Sequence, residues 1–463
     1  MPPETRSFYP VIDCISFFGL GKLGLPLAAL FARSELRTLA IDIDRELVAR
    51  LRAGQVPYPE PGLDDLLAEA EPRITYASEA RGAFGTDASI ILVPTPSDAG
   101  HPEFSSRHIE QACRDLCAAL KARTEWRYHL IVISSTVFPG TVATRIAPLL
   151  EQLLGRRAGR DFGIAYVPDF VALGDVVRGF QEPQFLLIGS DDEESHAQAA
   201  ALFRRIVAPG TPIQHLSIRD AELAKVAANV FLCTKISFGN FLAQLADRLG
   251  GADLDSIASA LALDPRIGGG FLRAGSPYGG TCLPRDVDAF VALARSVDLD
   301  APLASAVRDV NKAQYDLIER HLLAGNPRCV AVLGLSFKPG TSVTIGSPAF
   351  ELVRRLAQRS VRVAVYDPAA DARESAHAAF GDAITCHESI TACVAAADAV
   401  LVCNSDPAFR GLAAKVAPDR RIIDPWGCVL GTHPGLVRIG RDQALAASLL
   451  ASRRRKPSLR AVR

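Results

Sequence analysis

The stretch Val11-Ile-Asp-Cys-Ile-Ser-Phe-Phe18-Gly19-Leu-Gly21-Lys-Leu-Gly24-Leu-Pro26 decides the fold of this chain. A mostly apolar run of strand length enters glycines spaced Gly-x-Gly-x-x-Gly, and a helical pattern follows to about residue 33. Glycines at these positions permit a tight turn and close backbone approach, so that a helix N-terminus can face a pyrophosphate. A second strand pattern over 37–43 ends in Ile41-Asp42-Ile43-Asp44. A carboxylate about twenty residues beyond the glycines hydrogen-bonds a ribose 2′-hydroxyl and repels a 2′-phosphate. Gly19, Gly21, Gly24 and Asp42 therefore read as an NAD site rather than an NADP site. A glycine turn beside a surface aspartate is the plainer alternative, and Lys22 is expected to face solvent.

Working outward, further strand patterns lie at 88–93 before Pro94-Thr95-Pro96, at 129–134 before Ser135-Thr136, and at 162–167 before Pro168-Asp169-Phe170. A run at 184–189 is expected to be the last strand of this unit, which ends near 212. From 217 to 248 only Gly239 interrupts a helical pattern, enough for roughly 45 Å of helix at 1.5 Å per residue. Shorter helical stretches around 254–263 and 286–297 flank a glycine-rich loop. Strand patterns then return at 329–333, 361–366, 399–403 and 421–424. Strands alternating with helices predict an α/β fold with parallel sheets: two Rossmann-like βαβ domains joined by a long central helical segment. The expected divisions are 1–212, 213–320 and 321–452, with 453–463 a basic tail that self-repulsion leaves disordered.

Composition narrows the function. Lys+Arg and Asp+Glu both total 51 in 463 residues, so no global basic field exists to hold nucleic acid. No stretch reads as the about 18–20 uninterrupted apolar residues that span a bilayer. Charges at Glu4 and Arg6 ahead of the glycine motif do not read as a signal peptide. The ten cysteines show neither Cys-x-x-Cys nor paired clusters, so a reducing cytoplasm is expected, with most of them packing as small hydrophobes. Nine histidines show no His-Glu-x-x-His spacing and no Gly-x-Ser-x-Gly elbow occurs, so no metal is expected.

Cys282 differs from the other nine, which read as packing residues. It sits between the glycine-rich loop and a helix start marked by Pro284, where the helix dipole favours thiolate, and Asp286 follows four residues on. A buried loop cysteine would leave the same trace. Lys225 and Asn229 share a helix face at i,i+4, in a stripe continuing through Cys233, Ile236 and Asn240. An ammonium and a carboxamide there would stabilise an oxyanion, although an exposed helical pair accounts equally for the spacing.

Together these segments resemble the UDP-glucose/GDP-mannose dehydrogenase family. The matching stretches are Gly19–Pro26, Ile41–Asp44, Glu60-Pro-Gly-Leu63, Pro94-Thr-Pro96, Ser134–Gly140 and Tyr166–Phe170. They continue with Ala221-Glu-Leu-Ala-Lys-Val-Ala-Ala-Asn229, Tyr278-Gly-Gly-Thr-Cys-Leu-Pro-Arg-Asp286, Gly334-Leu-Ser-Phe-Lys-Pro-Gly-Thr341 and Tyr366-Asp-Pro368. The resemblance implies a four-electron oxidation of a nucleotide-sugar C6 hydroxyl to a carboxylate, with two NAD consumed through a Cys282 thiohemiacetal and thioester. Lys225 and Asn229 match oxyanion-stabilising positions, Asp286 an acid supporting the lysine and water, and Asp169 a candidate base. Thr136 matches a residue holding water or cofactor, and Thr95 joins the cofactor set. Phe170, Phe271, Gly279 and Lys338 fall at sugar-nucleotide positions, together with Lys225 and Asn229. Arg266 resembles an arginine reaching the neighbouring subunit's substrate in a homodimer. The three divisions become an NAD domain, a central dimerisation segment and a nucleotide-sugar domain, in a cytoplasmic enzyme making a uronic acid for polysaccharides or glycosides. UDP-glucose is the first expected substrate and dTDP-glucose or a UDP-N-acetylhexosamine the next.

Departures from the family pattern fall at Asp169 for glutamate, Leu173 for glutamate, Ile345-Gly346 for Arg-Glu, and Trp426 where an arginine often stands. Two rival readings remain: a two-electron dehydrogenase of the hydroxyacid or 6-phosphogluconate type, and a non-catalytic nucleotide-sugar-binding protein.

Overall fold

The computed structural model describes residues 11–97 and 104–441. The expected basic tail at 453–463, and Glu4 and Arg6 at the N-terminus, lie outside the described residues. The chain divides into two compact units, Met1–Ala228 and Asn229–Arg463, and the division falls within the helix Ile218–Leu249.

The first unit carries β1 (Cys14–Phe18), β2 (Arg37–Ile41), β3 (Ile74–Ala77), β4 (Ala88–Ile91), β5 (Leu130–Ile133), β6 (Gly163–Tyr166), β7 (Leu186–Gly189) and β8 (Ile213–Leu216). They form one sheet in the order β3-β2-β1-β4-β5-β6-β7-β8, parallel except where β6 meets β7 at Tyr166 and Gly189. The second unit carries β9 (Cys329–Leu333), β10 (Arg362–Tyr366), β11 (Ile384–Cys386), β12 (Ala399–Val402), β13 (Arg421–Asp424) and β14 (Leu436–Arg438). Its order, β11-β10-β9-β12-β13-β14, repeats the arrangement of the first six strands and is parallel throughout. The α/β reading holds.

Strand periodicity divides each sheet into two apolar layers. In the first, Ile15, Phe17, Ile90, Leu130 and Val132 enter one core while Phe18, Ile41, Ile91, Ile131 and Ile133 enter the other. In the second, Val330, Val332, Val363 and Val365 face one way and Ala331, Leu333, Val400 and Val402 the other. Both faces are covered, so the strands read as continuous apolar runs.

The structure adds elements that the sequence pattern did not show. β8 follows the strand expected to be the last of the first sheet, and β3, β11 and β14 are additional edge strands, only partly buried and without a continuous apolar run. A helix at Pro302–Leu323 adds to the expected central stretches. Among the described residues one helix, Ile218–Leu249, is long and apolar enough by length and composition to cross a membrane, contrary to the expectation of none. Buried Glu222, Lys225, Asn229, Asn240 and Asp247 lie along it, polar and charged groups that are costly to place in hydrocarbon.

Candidate active site

The first unit builds its site on the loops following β1, β2, β4, β5 and β6. β1 ends at Phe18, and Gly19 turns with φ 97°, its N–H donating to the Ile41 carbonyl at 2.8 Å. The helix Gly24–Arg33 starts at the last glycine, where a Cβ would fall onto the Gly19 carbonyl oxygen. At Gly21 nothing lies within 4 Å of such a Cβ, so the middle of the turn stays open. Asp42 ties strand to turn: one carboxylate oxygen accepts the Leu20 N–H at 2.7 Å and the other the Asp44 N–H at 2.9 Å. This narrow turn, helix N-terminus and half-buried aspartate fit the pyrophosphate and ribose of a dinucleotide. Lys22 is exposed, as expected, with its ammonium 5.9 Å from the Tyr58 ring centre.

The Thr95 hydroxyl donates to the Thr136 carbonyl at 2.7 Å, which brings these two residues together. Ser135 Oγ lies 2.8 Å from both the N–H and the carbonyl of Val93, closing the β4 and β5 loops onto each other. After β6, Asp169 and Phe170 meet Lys225: its ammonium donates to the Asp169 carbonyl and sits 4.7 Å from the Phe170 ring centre. Lys225 is buried, so it is not the exposed helical residue of the plainer alternative.

Two carboxylates with no role in the sequence reading hold these loops. Glu60, buried, accepts the N–H groups of Gly174 and Val176 at 2.9 and 2.8 Å and so caps the helix Val176–Gln181. Glu222, fully buried one turn before Lys225, accepts those of Gly140 and Val142 at 2.6 and 2.8 Å. Tyr58 adds a hydroxyl bond to the Gly21 carbonyl at 3.2 Å. Glu60 and Glu222 stood inside matched motifs, which was their only sequence signal. Leu173, at the family's glutamate position, packs against the apolar core of the first sheet.

In the second unit Cys282 is exposed and occupies the N-cap position of the helix Leu283–Ser296, with Pro284 in its first turn. Thr281 Oγ1 lies 3.5 Å from its sulfur. Asp286 donates its N–H to the Cys282 carbonyl at 2.9 Å, and its fully buried carboxylate takes Asn229 Nδ2 at 2.6 Å and Arg285 at 3.1 Å. An exposed thiol thus sits one turn from a carboxylate–carboxamide–guanidinium cluster. Of the nine cysteines read as packing, Cys386 is a correction: it is exposed, at the end of the edge strand β11. All ten cysteines are free thiols.

The loop before Cys282 is tightly packed. Gly280 donates to the Gly346 carbonyl at 2.8 Å, and a Cβ at Gly279 would collide with Gly346 and Pro348. Gly346 itself has φ 68° and no room for a Cβ beside Gly280, so the glutamate usual there is excluded by the backbone. Ile345 is exposed. Trp426 lays its ring against Gly275 and donates its indole N–H to the Cys403 carbonyl at 2.8 Å. Phe271 is exposed with φ 65°, a left-handed conformation costing an aromatic residue about 1–2 kcal/mol. Arg266 is exposed and chelated by Asp264 at 2.6–3.1 Å, and Lys338 is half-buried on the loop after β9. Among the described residues no group of three or more His, Cys, Asp or Glu side chains is arranged to hold a metal.

Comparison with known proteins agrees with this layout. Residues 13–207 match the NAD binding domain of the UDP-glucose/GDP-mannose dehydrogenase family, 219–313 its central domain and 331–430 its UDP binding domain. A GDP-mannose 6-dehydrogenase of Azotobacter vinelandii is 32% identical over 434 residues, spanning 89% of this chain and 96% of its own. A UDP-glucose 6-dehydrogenase of Haloferax volcanii is 35% identical over 407 residues, spanning 86% and 92%. The solved UDP-glucose dehydrogenase of Pyrobaculum islandicum superposes with a TM-score of 0.83 at 32% identity, covering 90% of this chain and 94% of that one. The cofactor is NAD. With the glycine turn, the Lys225 helix and the Cys282 loop each inside a matched domain, the chain belongs to the UDP-glucose/GDP-mannose dehydrogenase family.

Proposed function

We propose that this protein is an NAD-dependent nucleotide-sugar 6-dehydrogenase that oxidises the C6 hydroxyl of a nucleotide-linked hexose to the carboxylate. UDP-glucose is its first substrate and dTDP-glucose the next. The observation that carries this reading is the exposed Cys282 thiol at a helix N-terminus, one turn from buried Asp286 and its Asn229 and Arg285 partners. NAD, when bound, takes up the electron pair released in each of two oxidations.

The chain's own groups handle the rest. Cys282 sulfur bonds to C6 of the aldehyde, and the carbonyl electron pair moves to oxygen, where the Lys225 ammonium and Asn229 carboxamide hold the negative charge. After the second oxidation C6 is a thioester. Water adds to it, the C–S bond breaks, and a proton returns to sulfur, which restores the thiol and releases the acid. Asp169 serves as the base for that water, Asp286 orients Asn229 and the water, and Thr136 with Thr95 positions the cofactor. Phe170, Phe271, Gly279 and Lys338 bind the nucleotide sugar.

A homodimer is part of the proposal. Phe231, Phe238, Phe241, Leu245 and Leu249 form a stripe on the helix Ile218–Leu249, 64, 49, 50, 40 and 61% exposed, and a contiguous apolar surface of that kind suits a second copy. Arg266 would then reach the partner's substrate. Phe238→Asp is expected to convert dimer to monomer in sedimentation; an unchanged sedimentation coefficient overturns the interface. Ten free thiols fit a reducing cytoplasm.

The test is the NADH formed per mole of UDP-glucose or dTDP-glucose. The expected ratio is two, and Cys282→Ser should cut turnover by roughly 10³-fold or more. A ratio of one that is indifferent to the mutation supports a two-electron enzyme and sinks the thioester route. Binding without NADH supports a non-catalytic binding protein.

A further inference from the structure

We propose that Glu222 is a positioning residue that ties the segment carrying Thr136 to the helix carrying Lys225, and that it does so only as a carboxylate. The catalytic consequence rests on the dehydrogenase reading; the structural tie does not.

The geometry lies wholly within the first unit. After β5 the chain runs through Ser135 and Thr136 to Gly140, which turns with φ 97°, and then enters a wide turn at Val142–Ile146 that leads into the helix Ala147–Leu154. The first N–H groups of a helix have no partner within it. Here Gly140 and Val142 give theirs to the two oxygens of Glu222, at 2.6 and 2.8 Å. Glu222 comes from another element, the helix Ile218–Leu249, and lies fully buried one turn ahead of Lys225. Lys225 is in turn bound to the Asp169 carbonyl, while Thr136 receives the Thr95 hydroxyl. One turn of helix therefore fixes the loops after β5 and β6, and the first is joined to the loop after β4.

Both hydrogen-bond partners of Glu222 are donors. A carboxylate satisfies both; a protonated acid brings a hydrogen with no acceptor in that pair and loses at least one cap. The charges that reach Glu222 are Arg219, on its own helix, and Asp191, in the turn after β7, whose carboxylate accepts the Ile218 N–H at 3.0 Å. From the facing segment come only the two backbone N–H groups. Burial pushes the acid up to about 7 against the pull of those N–H groups and Arg219, with Asp191 adding to the rise. The sign follows from the raised value: folding stability is lost as pH climbs from 4.5, the ordinary value, to about 7, while the caps are gained over the upper part of that range. The protein gives up stability to hold the Thr136 segment in place under neutral to alkaline conditions.

Backbone amide resonances of Gly140 and Val142 in the full chain, followed from about pH 6 to about pH 8, test this directly. They are expected to titrate with a midpoint near 7 in the wild type and to stay flat in Glu222→Gln, whose carboxamide offers one acceptor and one unwanted donor. In turnover, Glu222→Gln should be slower than wild type by roughly five- to thirtyfold at about pH 8, with the gap closing towards about pH 6. Amides that do not titrate in the wild type, an unchanged titration in Glu222→Gln, or a rate ratio independent of pH would each overturn the proposal. If Glu222→Gln does not fold, the wild-type amide titration decides alone. If no nucleotide sugar is oxidised, that same titration still decides the tie while the dehydrogenase reading fails.

Discussion

The two sheets repeat one plan and use it differently. Gly19 after β1 and Gly334 after β9 both turn with positive φ, 97° and 88°, and their N–H groups donate to the last residues of β2 and β10 at 2.8 and 2.9 Å. Asp87 and Asp398 each accept two N–H groups at the start of the first strand, from Asp13 and Cys14 and from Arg328 and Cys329. Asp42 and Asp367 both stand after the second strand. Beyond this the units part.

After Gly19 the helix begins at Gly24; after Gly334 a long loop intervenes before the helix Pro348–Gln358. Half-buried Asp42 binds only one N–H of its glycine turn, whereas buried Asp367 binds both Leu335 and Ser336, and Ala369 as well. The first turn keeps a helix N-terminus and a carboxylate edge for a ligand. In the second, the same residues are consumed in holding a loop. A βαβ scaffold carries no function of its own, and the same turn can be engaged in different ways.

The comparison can be broken at three points. Gly24→Ala has the largest expected effect, because its Cβ meets backbone rather than a movable side chain. It should cost more than about 3 kcal/mol in denaturant unfolding. A mild loss would mean that the turn opens without the helix following. Asp42→Asn should weaken NAD binding by about 10- to 100-fold and narrow the preference over NADP, read by calorimetric titration with both cofactors. Equal NAD affinity would remove Asp42 from the site. Asp367→Asn should cost about 1–3 kcal/mol of stability and leave NAD affinity unchanged, since its carboxylate serves only its own loop. A fall in NAD affinity would show that the second turn also serves the cofactor.

Much of this was legible in order along the chain. Gly19, Gly24 and Asp42 lie within one βαβ unit, so spacing alone implies their proximity, and Cys282 carries its helix start beside it in Pro284. β3, β8, β11 and β14 were not legible: they are the edge strands of the two sheets, only partly buried, and lack the continuous apolar run of the equally short strands inside. Glu60 and Glu222 were hidden for a related reason. Their partners lie 114 and 82 residues away along the chain, at Gly174 and Gly140, and an isolated glutamate in sequence does not declare what it caps.

The sequence by itself determined the class of fold, the cofactor turn and the one cysteine placed at a helix start, because each depends on local periodicity, backbone freedom or spacing within a single unit. The tertiary structure decided how differently Asp42 and Asp367 are engaged at two similar turns, why Gly346 cannot be the usual glutamate, and that a buried carboxylate holds the Thr136 segment. Those outcomes depend on burial and on hydrogen bonds between residues distant in the chain, and neither is set by neighbours in sequence.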